Sequence, residues 1–270
     1  MGTVVVIQFP GVNCEYETVR ALAAAGLDAR IMRWNDSLAR LRSAAAVVLP
    51  GGFSYQDRIR AGVVAAKDRI VDEVFEAAAR GVPVLGICNG AQILVEAGIV
   101  PGESGGEISI ALAPNQMPDR EGYYCRWVRL KKGPADCVFT SFLDEWREDR
   151  GTVPCPVAHA EGRFTTASPD VLARLERGEG VALYYADEEG RTASSFPQNP
   201  NGSLRGIAGV TNDAGNVLAL MPHPERAGWL HQVPEYIGGY WGRMRLEARE
   251  DAFRAGPGLA FFESLKKAIE

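Results

Sequence analysis

Four short apolar runs constrain the fold more than any other feature of this chain. They read "TVVVIQF" (3–9), "ARIMRW" (29–34), "AAVVLP" (45–50) and "PVLGI" (83–87), and stretches of helical spacing separate them. Strands buried on both faces carry near-continuous apolar sequence, and strand–helix alternation builds a mainly parallel sheet covered by helices. Asn13 is expected to cap a helix through "EYETVRALAAAG" that stops at Gly26. Val63, Val64, Ile70, Val71, Val74, Phe75 and Ala78 recur at helical spacing, so one long helix is expected there, ended by Gly81. After the fourth run, "NGAQILVEAG" opens another helix.

The second half changes character. "YYCRWVRLKK" (123–132), "CPVAHAEG" (155–162), "VALYYAD" (181–187), "IAGVTN" (207–212) and "VLALMP" (217–222) are strand candidates with few helices between them. "TNDAGN" (211–216) signals a hairpin turn, and "PGLAFFESLKKAIE" closes the chain as an amphipathic helix. The expected fold class is α/β, an open, mostly parallel sheet flanked by helices with antiparallel additions, in one domain over residues 1–270.

Charge and cysteine usage exclude several classes. A net charge of -5 leaves no basic footprint for nucleic acid. No apolar stretch is long enough to span a membrane. The start "MGTVVVIQFPG" lacks a basic region and turns at once into strand-like sequence, so no secretion signal is expected. Five scattered cysteines form no CxxC pair and no disulfide framework, which fits a reducing cytoplasm.

Cys88 sits where the fourth run ends and the next helix begins, in "GICNG". A nucleophile at a strand–turn–helix elbow has this pattern. Small neighbours at 86 and 90 permit the sharp turn, and the free N–H groups of the following helix favour a thiolate. The competing reading is a structural cysteine in a close-packed corner. A thiol nucleophile needs a proton carrier, and the chain has three histidines. His231, in "WLHQVPEY", reads as a surface residue. His159 lies in "VAHAEGRF". His223 lies in "LALMPHPER", and Glu225 two residues on would share its side of an extended segment and orient the imidazole. Spacing alone leaves that pair either catalytic or a routine surface pair. An oxyanion needs donors as well. The backbone N–H of Asn89 is one candidate, and Gly52 in "LPGGFSYQD" (49–57) is the other, unless that loop is a plain strand-ending turn.

These motifs together resemble the class I (triad) glutamine amidotransferases, whose fold is flavodoxin-like. "FPGVNCEYE", "LPGGFSYQDRIRAG", "VLGICNGAQIL", "CRWV", "AHAEGRF", "NPNGS", "IAGVTN" and "ALMPHPER" are similar, in that order, to the glutaminase subunits of phosphoribosylformylglycinamidine synthases. The resemblance runs from near residue 3 to about residue 226. It implies that Cys88 attacks the side-chain amide of glutamine, that His223 carries protons and that Glu225 orients it. Gln92 matches a glutamine-binding position. His159 and Glu161 match a segment on the substrate or partner side. The resemblance also implies no metal or cofactor in this chain. ATP and magnesium would serve a large synthase subunit that receives the ammonia, and a small third subunit would complete the assembly. The absence of a "GxxxxGK[ST]" loop agrees with an ATP site elsewhere. Another cysteine hydrolase on this sheet, or a non-catalytic subunit, remains the alternative.

Three departures stand out. Position 56 is Gln where such chains usually carry glycine, and a positive φ there would be costly. The stretch 102–124 is longer than usual. Residues 227–256, rich in Trp, Tyr and Arg, read as an insertion, either an interface or an excursion packed on its own subunit.

Overall fold

The first four apolar runs form neighbouring strands of one nine-stranded sheet. The structure, a computed structural model, describes residues 2–102, 106–248, 251 and 253–270. Residues 103–105 of the long 102–124 stretch, and 249, 250 and 252 of the 227–256 segment, lie outside the described residues. In chain order the elements are β1 (Val4–Gln8), α1 (Glu15–Ala24), β2 (Ala29–Arg33), α2 (Ala39–Arg42), β3 (Ala46–Leu49), α3 (Arg69–Ala79), β4 (Val84–Ile87) and α4 (Asn89–Glu96). Then come β5 (Ala111–Ala113), β6 (Tyr124–Lys132), β7 (Thr152–His159), β8 (Arg163–Thr165), α5 (Pro169–Glu176), β9 (Val181–Ala186), β10 (Ile207–Thr211), β11 (Val217–Leu220), α6 (Gly239–Glu247) and α7 (Leu259–Ile269).

The sheet order is β2-β1-β3-β4-β11-β10-β9-β6-β7, and β5 pairs separately with β8. Pairing is parallel from β2 to β11 and antiparallel from β11 to β7. Every residue of β3 and β4 is buried, which explains their unbroken apolar sequence. Phe261, Phe262 and Leu265 of α7 are fully buried, and Phe142 meets Phe261 edge-on at 5.0 Å. The antiparallel wing curls over the C-terminal edge of β4 and β11. The His223 N–H donates to the Pro156 carbonyl at 2.8 Å, so the far edge strand β7 reaches the ends of the central strands.

Two local expectations are corrected. The pattern from Val63 to Ala78 is not one helix. Ala65–Lys67 makes a single 3-10 turn, Asp68 is extended at ψ 139°, and α3 starts afresh at Arg69. The Asp68 carboxylate accepts from the Tyr55 hydroxyl, a contact that local periodicity cannot register. Asn13 does not cap α1 either. Cys14 holds the cap position without a side-chain bond, and the Asn13 amide oxygen accepts from the Cys14 thiol at 3.3 Å. In the 227–256 segment, Leu230, Val233, Ile237 and Trp241 form a satellite cluster with Trp127 and Trp146 of the same chain. The Trp146 and Trp241 rings stack at 5.6 Å.

Candidate active site

Strands β3, β4 and β11 are parallel neighbours, so the loops after them share one edge of the sheet. Cys88 occupies the turn between β4 and α4 at φ 51° and ψ −103°. Positive φ in a non-glycine residue is sparsely populated and stores strain. The Cys88 N–H donates to the Leu220 carbonyl at 2.7 Å, which anchors the elbow to the end of β11. A β-carbon on Gly90 would stand 1.9 Å from the Leu49 carbonyl oxygen, so glycine is what lets α4 close on β3.

His223 follows β11. The segment after it is not extended, because Pro224–Arg226 makes one 3-10 turn with proline at its first position. The turn still brings Glu225 Oε1 to 2.6 Å from His223 Nδ1, with both side chains buried. An Nδ1–H donating to the carboxylate leaves Nε2 as the acceptor nitrogen. Burial disfavours the imidazolium, but the charges of Glu225 and Cys88, with support from Cys14, outweigh it and hold the His223 pKa well above the usual value. The Cys88 thiol donates to the Ala158 carbonyl at 3.6 Å, and Nε2 has no hydrogen-bond partner. Such bonds are often loose before substrate binds.

Gly52, just past β3, has φ 145°. It pairs with Val12 in an antiparallel bridge whose hydrogen bonds run from Asn13 N–H to Gly51 O and from Phe53 N–H to Gly11 O. The Gly52 N–H is therefore turned away from Val12. A β-carbon on Gly52 would lie 2.6 Å from the Val12 Cα, so no other residue fits the bridge. Asn89 is the first residue of α4, where backbone N–H groups lack helical partners.

Gln92 is buried rather than on the surface. Its Nε2 donates to the Glu161 carbonyl at 2.6 Å and its Oε1 accepts from Asn89 Nδ2 at 2.9 Å. His159 is also buried. The Gly162 N–H fixes Asn115 Oδ1 as an acceptor, so His159 Nδ1, 3.0 Å from that oxygen, carries the proton. Burial, then the positive charge of His223, push the His159 pKa down to about 3, and it stays neutral. The Glu161 carboxylate accepts from the Ala61 N–H at 3.2 Å. His231 is exposed and stacks on Trp229. The loop after Gly52 is strained: Tyr55, Gln56, Asp57 and Ile59 have φ of 52°, 62°, 51° and 73°.

Several neighbours of the site escape a reading of spacing. Cys14 Sγ, a ring nitrogen of His223 and a Glu225 oxygen lie within 4.8 Å of one another. These are zinc-type ligands, but Arg226 already brings its guanidinium to 3.0 Å from the Cys14 sulfur. Burial raises the Cys14 pKa and keeps it a thiol. Asn115 and Asp57, which meet His159 and Asn89, carry no signal in local spacing either. The signal for Cys14 was its place in "FPGVNCEYE", but nothing local linked it to residue 223.

A family model described as a CobB/CobQ-like glutamine amidotransferase domain matches residues 2–267. The chain is 41% identical over 278 residues to phosphoribosylformylglycinamidine synthase subunit PurQ of Methanothrix thermoacetophila, covering 99% of this chain and 98% of the relative. It is 42% identical over 222 residues to the subunit of the same name from Pyrococcus horikoshii, covering 82% and 87%. A chain in the structure of PurLQS from Thermotoga maritima superposes with a TM-score of 0.70 at 31% identity, over 100% of both chains.

Proposed function

Because the chain belongs to the CobB/CobQ-like glutamine amidotransferase family, and within it to the PurQ subunits of phosphoribosylformylglycinamidine synthase, we propose that it is the glutaminase subunit of that synthase and acts in de novo purine biosynthesis. The observation that carries this reading is the positive-φ elbow at Cys88 beside the buried His223–Glu225 pair.

In this mechanism the Cys88 proton first passes to His223 Nε2, whose raised pKa favours the imidazolium, and the sulfur then attacks the side-chain carbonyl carbon of glutamine. The oxyanion meets the N–H groups of Gly52 and Asn89. His223 then gives its proton to the departing nitrogen, and ammonia leaves a γ-glutamyl thioester on Cys88. Water, deprotonated by His223, attacks the thioester, and glutamate departs as the proton returns to the sulfur. Glu225 keeps the imidazole oriented throughout. Gln92 lies within this shell and contributes to glutamine binding. His159 and Glu161 border it on the side facing β7.

The ammonia passes to a larger synthase subunit, which uses ATP and magnesium to convert formylglycinamide ribonucleotide to its amidine. A small third subunit completes the assembly. The likeness to a chain of PurLQS supports these partners. Residues 1–270 act as one cytoplasmic domain, with 227–256 inserted before α7. No helix among the described residues is long and apolar enough to cross a membrane.

The test is glutamate release with and without the partner subunit, ATP and formylglycinamide ribonucleotide. Hydrolysis should be weak in isolation and rise strongly in the assembly. Cys88→Ala should abolish glutamine-dependent synthesis and leave ammonium-dependent synthesis intact. A full, partner-independent rate would favour a free-standing cysteine hydrolase, and no glutamine reaction at all would favour a non-catalytic subunit.

A further inference from the structure

We propose that the side-chain carboxamide of Asn89 is a positioning group for the glutaminase reaction: it holds the Gly52 N–H in register with the N–H of Asn89 itself. The proposal rests on the reading of Cys88 as the nucleophile.

Asn89 is fully buried at the start of α4. Its Oδ1 accepts from the Ser54 N–H at 3.0 Å. Its Nδ2 donates to Gln92 Oε1 at 2.9 Å and reaches Asp57 Oδ1 at 3.3 Å. Both bonds to Ser54 and Asp57 grip the loop that begins at Gly52. The first bond lies two residues from Gly52. Between Gly52 and Ser54, the Phe53 N–H donates to Gly11 O at 3.0 Å. Gly52 is thus held between the bridge to Val12 on one side and the Asn89–Ser54 bond two residues on. Fixing Ser54 restricts the backbone that carries the Gly52 donor.

The loop needs such a grip. Four non-glycine residues between 55 and 59 have positive φ, and residues in that region persist only where surrounding contacts over-determine them. Asn89 makes two of those contacts, and its own orphan N–H is the other candidate oxyanion donor. One residue thus supplies one donor from its backbone and aligns the second with its side chain. Losing one oxyanion donor costs about 10²–10³-fold in rate, and a misplacement of about 1 Å costs about 10²-fold.

The experiment uses the full chain, with glutamate release and alkylation of Cys88 by iodoacetamide measured side by side. Alkylation needs the thiolate but no oxyanion site. Asn89→Ala should lower kcat about 10–100-fold while KM changes less than about threefold, and alkylation should stay within about twofold of the unsubstituted chain. Asn89→Asp sets a carboxylate against Asp57 and should also be slow. Adding Asp57→Asn restores a donor–acceptor pair from the other side and should recover at least about fivefold of that loss. A kcat for Asn89→Ala within about twofold of normal, alkylation lost in parallel with hydrolysis, or an exchange no faster than Asn89→Asp alone would each overturn the proposal. The underlying reading fails separately: a Cys88→Ala chain that hydrolyses glutamine sinks that reading, whereas an inactive Cys88→Ala beside a fully active Asn89→Ala sinks only the Asn89 role.

Discussion

Arg226 Nη2 donates to the sulfur of Cys14 at 3.0 Å, across 212 positions of sequence. The same guanidinium lies 4.0 Å from Glu225 and 4.0 Å from Glu17. Cys14 and Arg226 together form a floor beneath His223. The floor is tight, since a β-carbon on Gly51 would stand 2.7 Å from His223 Cε1 and 3.2 Å from Cys14 Sγ.

Cys14 therefore packs against His223 and Arg226, while the proposed nucleophile is Cys88 at the elbow. Cys14→Ala should keep the chemistry, with a rate loss below about tenfold, while removing buried volume and one Arg226 contact for about 1–2 kcal/mol of stability. Denaturant unfolding and glutamate release measure the two effects. An inactive but folded Cys14→Ala chain would reassign the roles of the two cysteines.

His223→Asn should lose about 10³-fold or more in rate, and Glu225→Gln less. The double variant should be little worse than His223→Asn, because members of one catalytic unit are not additive. The Glu225 charge is the largest of the effects that raise the His223 pKa against burial. Removing it should lower that pKa and weaken the imidazolium that supports the thiolate. Alkylation of Cys88 near neutral pH should therefore slow in Glu225→Gln. Multiplicative losses in the double variant would mean that Glu225 acts elsewhere.

Burial first, then the charge of Glu161, raise the Asp57 pKa from 3.8 to about 6. Folding thus favours the protonated carboxyl. The stability it contributes is full below about pH 3.8 and is lost as pH rises through about 6. Asp57→Asn keeps an acceptor for Asn89 and removes the penalty. It should be more stable than the unsubstituted chain at pH 8, by about 1 kcal/mol after allowing for solvent screening of a half-exposed group. The advantage should shrink between pH 6 and pH 4. Thermal unfolding across that range decides it, and a pH-independent difference would rule out this titration as the cause.

Gln56 has φ 62° on an exposed loop, the conformation in which its departure from glycine is costly. Gln56→Gly should stabilise the chain by up to about 1 kcal/mol, offset in part by the lost Gln56–Arg58 hydrogen bonds and by a freer unfolded state. A clear loss of stability would show that those bonds outweigh the backbone strain.

The sequence by itself determined the strand–helix alternation of the first half, the elbow at Cys88 and the hairpin at 211–216. Each is legible because it depends on local periodicity, turn chemistry and the absence of a side chain at a glycine. The motif order also pointed to His223 and Glu225, though not to the 3-10 turn that joins them. Tertiary structure alone decided what lies around them. It set β7 against the ends of β4 and β11, placed Arg226 on Cys14, made Asn115 the partner of His159, and broke a helical pattern in two at Asp68, whose carboxylate meets Tyr55. These are contacts between groups far apart in sequence. Their geometry follows from how the whole sheet coils and buries its edges, and no window of neighbouring residues carries that information.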